Sequence, residues 1–135
     1  MWTPDPAKIV TAEQKAAAIA SDQRAAVNRE RARRIVAGKT IDGIAVTGRD
    51  EDRSNLSDLA FGAQLRLGQG DATTLTTFRD GTNTDHDLTP EQVLSLWQQS
   101  ATYVSALYAA SWAIKAMDPL PADVTADELW PAYTA

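Results

Sequence analysis

Apolar positions along the chain recur at helical spacing in three stretches, with two short segments of β-type alternation between them. The first stretch opens at Thr11, with Gln14 three residues on, the pattern of a capping box. The helix it starts should run to Ala37 and stop at Gly38, a residue suited to the left-handed position past a helix end. Its apolar face is thin: Ala12, Ala16, Ile19, Ala26, Val27, Ile35 and Val36. Alanine favours a helix but buries little area. Such a helix either projects from its domain or packs closely on a copy of itself. Asp42-Gly43 between Ile41 and Ile44 then predicts a hairpin over 39–47 with a two-residue type I′ turn. In that register Ile41, Ile44 and Val46 share the core face.

The second helix is expected over 52–67, capped by Asp50 or Asp52 and ended by Gly68 and Gly70. Leu56, Leu59, Ala60, Ala63 and Leu67 form its inner stripe. Residues 73–79 are rich in threonine and carry Phe78, which reads as a strand, and 80–87 reads as a polar turn. Thr89-Pro90-Glu91-Gln92 starts the last helix, expected over 90–116. That helix is apolar nearly all round, so most of its faces need cover from the rest of the chain or from a second subunit. Prolines at 4, 6, 119, 121 and 131 predict extended arms at both ends. The reading is a helix-rich α+β fold: an arm over 1–10, one domain over 11–117 and an extended tail over 118–135.

A length of 135 residues fits one domain with a workable core. The absence of cysteine excludes disulfides, thiolate zinc sites and thiol nucleophiles. No apolar run approaches the roughly 18 residues of a membrane span, so membrane insertion is not expected. The opening MWTPDPAKIV has no basic stretch followed by an apolar one, so no secretory signal is expected. Charge is unevenly spread. From Glu13 to Lys39 seven basic residues face three acidic ones, a net of +4; from Asp80 onward one basic residue faces eight acidic ones, a net of −7. This asymmetry could steer a basic helix of one copy toward an acidic face of another, but two solvated faces of one monomer are the favoured reading.

Candidate chemistry is sparse. His86, the only histidine, falls in the polar turn with no nucleophile motif elsewhere, and reads as a surface residue. Asn83, Asp85 and Asp87 alternate after Asp80 as calcium-loop ligands do, but the turn glycine and terminal glutamate of such a loop are missing. Arg49-Asp50-Glu51-Asp52-Arg53 reads as a helix start with local ion pairs. Arg29, Arg31, Arg33 and Arg34 form a basic patch without stacking aromatics on an acidic chain, so nucleic acid is not expected as a partner. No nucleophile–base pair or metal cluster is visible, and neither an enzyme nor a cofactor is expected. Trp97 and Trp112, on the last helix, belong with its core. Trp2 and Trp130 fall in the arms, where tryptophan acts as an interface anchor; the alternative is that both arms fold back onto their own domain. The proposed interface residues are Trp2, Ile19, Ala26, Trp112 and Trp130.

The order of short blocks carries a resemblance. ERARRIVAG ends the first helix, DGIAV makes the hairpin and RDEDRSNL opens the second helix. Together with the stretch from Phe78 to Thr89, this resembles the domain of unknown function 4376 family, found in tailed phages and prophages near tail-fibre genes. The likeness covers Val27 to about Ala116. Phe78 stands where the family more often carries tryptophan. The ending MDPLPADVTADELWP and the opening MWTPDPAKIVTAEQ resemble a subgroup from phages of marine alphaproteobacteria. The resemblance supplies no catalytic residue. It implies a virion structural protein of the tail, at a fibre or baseplate attachment point, present in the host cytoplasm during assembly. Its partners would be other copies, for instance in a trimer, and neighbouring tail proteins. The alternatives are a tail-fibre assembly chaperone absent from the mature particle and a capsid decoration protein.

Overall fold

The computed structural model describes residues 11–131. Three helices, α1 (Ala12–Ala37), α2 (Asp50–Gly68) and α3 (Pro90–Lys115), alternate with two antiparallel hairpins. β1 (Lys39–Ile41) pairs with β2 (Ile44–Val46), and β3 (Thr76–Arg79) with β4 (Asp85–Leu88). The architecture is the helix-rich α+β fold expected. The N-terminal arm, Trp2 included, lies outside the described residues.

Two of the helix starts follow the sequence closely. The Thr11 hydroxyl accepts the Gln14 amide at 3.1 Å and the Gln14 side chain accepts the Thr11 amide at 2.9 Å. Thr89 and Gln92 repeat the box at 3.3 and 2.8 Å, with Pro90 at the first helical position, where its missing N–H costs nothing. The α2 start differs from expectation: Arg49 occupies the cap position and makes no side-chain cap bond. Asp50, Glu51 and Asp52 instead lie within the first turn, favourable beside the positive helix end. Asp52 is engaged by the Thr47 hydroxyl, which ties the helix to the end of β2.

The first hairpin has the predicted turn. Asp42 and Gly43 take φ of 51° and 78°, and Ile41 pairs with Ile44. Ile41, Ile44 and Val46 are buried. The second hairpin corrects the sequence reading in two places. The strand begins at Thr76 rather than 73, because the Asp71 carboxylate captures the Thr73 and Thr74 amides and holds that stretch as a loop. The segment read as a turn over 80–87 contains β4, with a turn only over 80–84. Asp85, His86 and Asp87 are weak strand formers, but their alternation puts His86 inward with the buried Leu88.

Two apolar clusters share α3. One joins both hairpins, α2 and the first half of α3 through Ile41, Phe78, Leu88, Leu56, Val93 and Leu96. The other joins the second half of α1, the second half of α3 and the tail through Val27, Ile35, Tyr103, Leu107, Ile114 and Trp130. The tail is therefore no free arm. Its Val124 and Trp130 are buried in their own chain, and a turn of 3-10 helix at Asp127–Leu129 precedes Trp130. The reading of Trp130 as an interface anchor is corrected accordingly. Proline spacing indicated an extended path but not that the path lies on the domain.

A polar clasp, buried on its α1 side and exposed on its tail side, ties the tail down. Arg34 donates from Nε to Glu30 at 2.9 Å, and from Nη2 to the Thr125 carbonyl at 3.0 Å and Asp127 at 2.7 Å. Its guanidinium lies 5.4 Å from the Trp130 ring centre. The Trp130 indole N–H donates to the Val124 carbonyl at 2.9 Å. Hydrogen bonds from Arg33, reinforced by Arg34, hold the Glu30 carboxyl below the usual carboxylate range against the opposing effect of burial.

Candidate interaction surface

Of the proposed interface residues, Ile19 and Ala26 lie on α1, Trp112 on α3 and Trp130 in the tail. Every residue from Thr11 to Ile19 is exposed, with Ile19 at 60%, and Ala16 and Ile19 line an open groove against residues 115–120. Ala26 lies farther along, half-buried against the second core. Trp112 is 61% exposed on α3, its ring 6.0 Å from that of Tyr108. Trp97, expected in the core, is 41% exposed. Both tryptophans fall outside the buried row of α3 at 93, 96, 103, 107, 111 and 114, so its apolar outer face remains uncovered in one chain.

Trp97 opens onto α2. Phe61 and Leu94 flank it around a shallow cavity of about 210 Å³, and Phe61 is 66% exposed, with Leu65 one turn on also exposed. Sequence reasoning passed over Phe61 and Leu65. The signal was available: each lies off the buried positions 56, 60 and 63, so helical periodicity sends both outward. Large apolar residues at outward positions on adjacent helices make a surface that water solvates poorly.

The basic patch is mostly consumed within the chain. Arg34 is buried in the clasp, Arg33 pairs with Glu30, and Arg31 donates to the Ser111 hydroxyl at 3.0 Å with its guanidinium over Tyr108. Of its four arginines only Arg29 is exposed without a hydrogen bond or ion pair among the described residues.

His86 is more engaged than a surface residue. Its Nε2 lies 2.7 Å from the buried Asp80 carboxylate, which also accepts from the Thr82 hydroxyl and from the Thr82 and Thr84 amides. These donors, His86 first, hold the Asp80 carboxyl far below its ordinary range. The calcium-like alternation is thus organised around a carboxylate turned into its own turn, while Asp85 pairs with Arg79 at 2.8 Å and Asp87 accepts from Thr77 at 2.7 Å. Among the described residues no group of three or more acidic or histidine side chains is arranged to hold a metal.

A folded-state pKa lowered in this way gives stability that is complete above the unfolded carboxyl value of about 3.9 and is lost as pH falls through the folded value. Asp80→Asn should therefore melt below the wild type at pH 7, and the gap should narrow in melts taken progressively below about pH 4. A gap that stays constant from pH 7 to pH 2 would mean that Asp80 acts through shape alone.

Beside His86, the space between the hairpins and α3 forms a cavity of about 310 Å³. Ile44, Leu88 and Leu96 make its apolar side; Asp42 and Asp87 stand at its edge.

The model of a family described as a domain of unknown function, DUF4376, matches residues 13–134. No curated protein matches the chain. No solved structure matches it either.

Proposed function

The chain belongs to the DUF4376 family, and from that premise we propose that it is a structural protein of a phage tail, working at a fibre or baseplate attachment point in phages of marine alphaproteobacteria. It acts through protein–protein contacts with copies of itself and with neighbouring tail proteins. The block order of the sequence supports the phage context. The observation that carries an assembly role is the exposed apolar surface: Phe61, Leu65 and Trp97 across α2 and α3, and Trp112 farther along α3. Covering such surface gains roughly 25 cal/mol per Å², and tryptophan and phenylalanine are residue types on which interfaces concentrate their energy.

The test is the content of purified particles. Quantitative mass spectrometry should find the protein at a fixed, low copy number, and labelling should place it at the tail. Absence from mature particles would replace this reading with an assembly chaperone. Hundreds of copies on the head would replace it with a decoration protein.

A further inference from the structure

We propose that the cavity between the hairpins and α3 receives an arginine side chain from α1 of a second copy of this chain, so that copies join head to tail. The inference rests on the self-association put forward above and names its contact. The buried Ile44, Leu88 and Leu96 give the cavity an apolar floor, while Asp42 and Asp87 supply two exposed carboxylates at its edge. Among the described residues both carboxylates accept only from neutral donors: Asp42 from Gln99 at 3.3 Å and Asp87 from Thr77 at 2.7 Å. Neither is in an ion pair among the described residues, and no lysine or arginine lines the cavity. An apolar floor below a carboxylate edge suits a side chain with an aliphatic stem and a cationic head. At about 310 Å³ the space is that of roughly ten waters in the liquid, ample for one such side chain.

The same chain supplies the complement. In α1, Arg31, Arg33 and Arg34 are committed internally, but Arg24 and Arg29 are exposed and have no ion pair among the described residues. The helix segment carrying them has a net charge of +4, and the segment from Asp80 onward, which contributes most of the cavity, a net of −7. Donor and acceptor are different surfaces of the molecule, so the contact is heterologous and closes into a ring when the rotation between copies permits. Arginine suits the donor role because its planar head addresses carboxylates with fixed geometry.

Sedimentation of the full chain over a concentration series tests the proposal. The wild type should self-associate, less so as salt is raised. Asp42→Asn with Asp87→Lys, and separately Arg24→Glu with Arg29→Glu, should keep the helical circular dichroism and raise the dissociation constant by about tenfold or more. An equimolar mixture of the two variants should recover association, because each carries the charge that the other now needs. Variants that associate like the wild type, or a mixture that does not recover, overturn this contact and leave self-association standing. A wild type that stays monomeric throughout overturns both. Should a reversal disturb the fold, the neutral changes Asp87→Asn and Arg29→Gln carry the same test, each expected to weaken association.

Discussion

Gly38→Ala is expected to leave the protein barely stable or unfolded. Gly38 follows the last residue of α1 with φ of 75° and ψ of −154°, a region that glycine alone occupies readily. The sequence pointed to a left-handed helical cap; the positive φ is there, but ψ lies far beyond that well. The reason is the close approach of β2. A Cβ at this position would stand 1.8 Å from the Val46 carbonyl oxygen and 2.7 Å from the Thr47 Cα, both backbone atoms that cannot swing aside. Backbone strain of about 1–3 kcal/mol and overpacking of about 1–3 kcal/mol together approach the whole stability of many domains. Gly43 is the control. It also has positive φ, at 78°, but a Cβ there meets nothing within 4 Å, so Gly43→Ala should cost only the conformational strain, about 1–2 kcal/mol. Gly43→Val should cost about 1–3 kcal/mol, since a β-branched side chain tolerates positive φ less well. Urea melts of the variants side by side decide the matter. Equal losses for Gly38→Ala and Gly43→Ala would mean that the close approach of Val46 relaxes freely.

Trp130→Ala is expected to cost about 3–5 kcal/mol, the range for deleting a buried aromatic side chain. Trp130 is buried among Val27, Ile35, Leu107 and Ile114, and its indole N–H is satisfied within the chain. Removal would also take away the ring over which Arg34 lies, at a point where Arg34 and Glu30 are both buried charges. Leaving such charges with fewer partners is itself costly. Termination after Met117 should therefore reduce thermal stability sharply rather than yield a folded chain that merely assembles less well. A truncated protein with wild-type circular dichroism and melting temperature would return the tail to the role of an arm.

The fold was legible where a local rule decides the outcome. Thr11 with Gln14 and Thr89 with Gln92 specify two helix starts through their own hydrogen bonds. Asp42-Gly43 specifies a turn because few other pairs accept positive φ twice. Legibility ended where distant contacts decide. β4 depends on pairing with β3 and on the inward Leu88, not on the propensity of Asp85, His86 and Asp87. The tail is ordered by α1, whose Arg34 is separated from Asp127 by most of the chain. The surface was read least well. Helical spacing could have exposed Phe61 and Leu65, but Trp97 was placed inside because an apolar helix was given more cover than one chain supplies.

The sharing of α3 between two cores has a consequence for synthesis. The residues of the first cluster run from Ile41 to Leu96, so that half can assemble once a contiguous stretch has left the ribosome. The second cluster begins at Val27, near the start, and closes only with Val124 and Trp130. Throughout that interval the inward face of α1, with Val27, Ile35 and the Glu30–Arg34 pair, awaits first the second half of α3 and then the segment that carries Val124 and Trp130. A nascent chain of this protein therefore carries an incompletely covered helix face next to an already folded half until the segment around Val124 and Trp130 docks and conceals it.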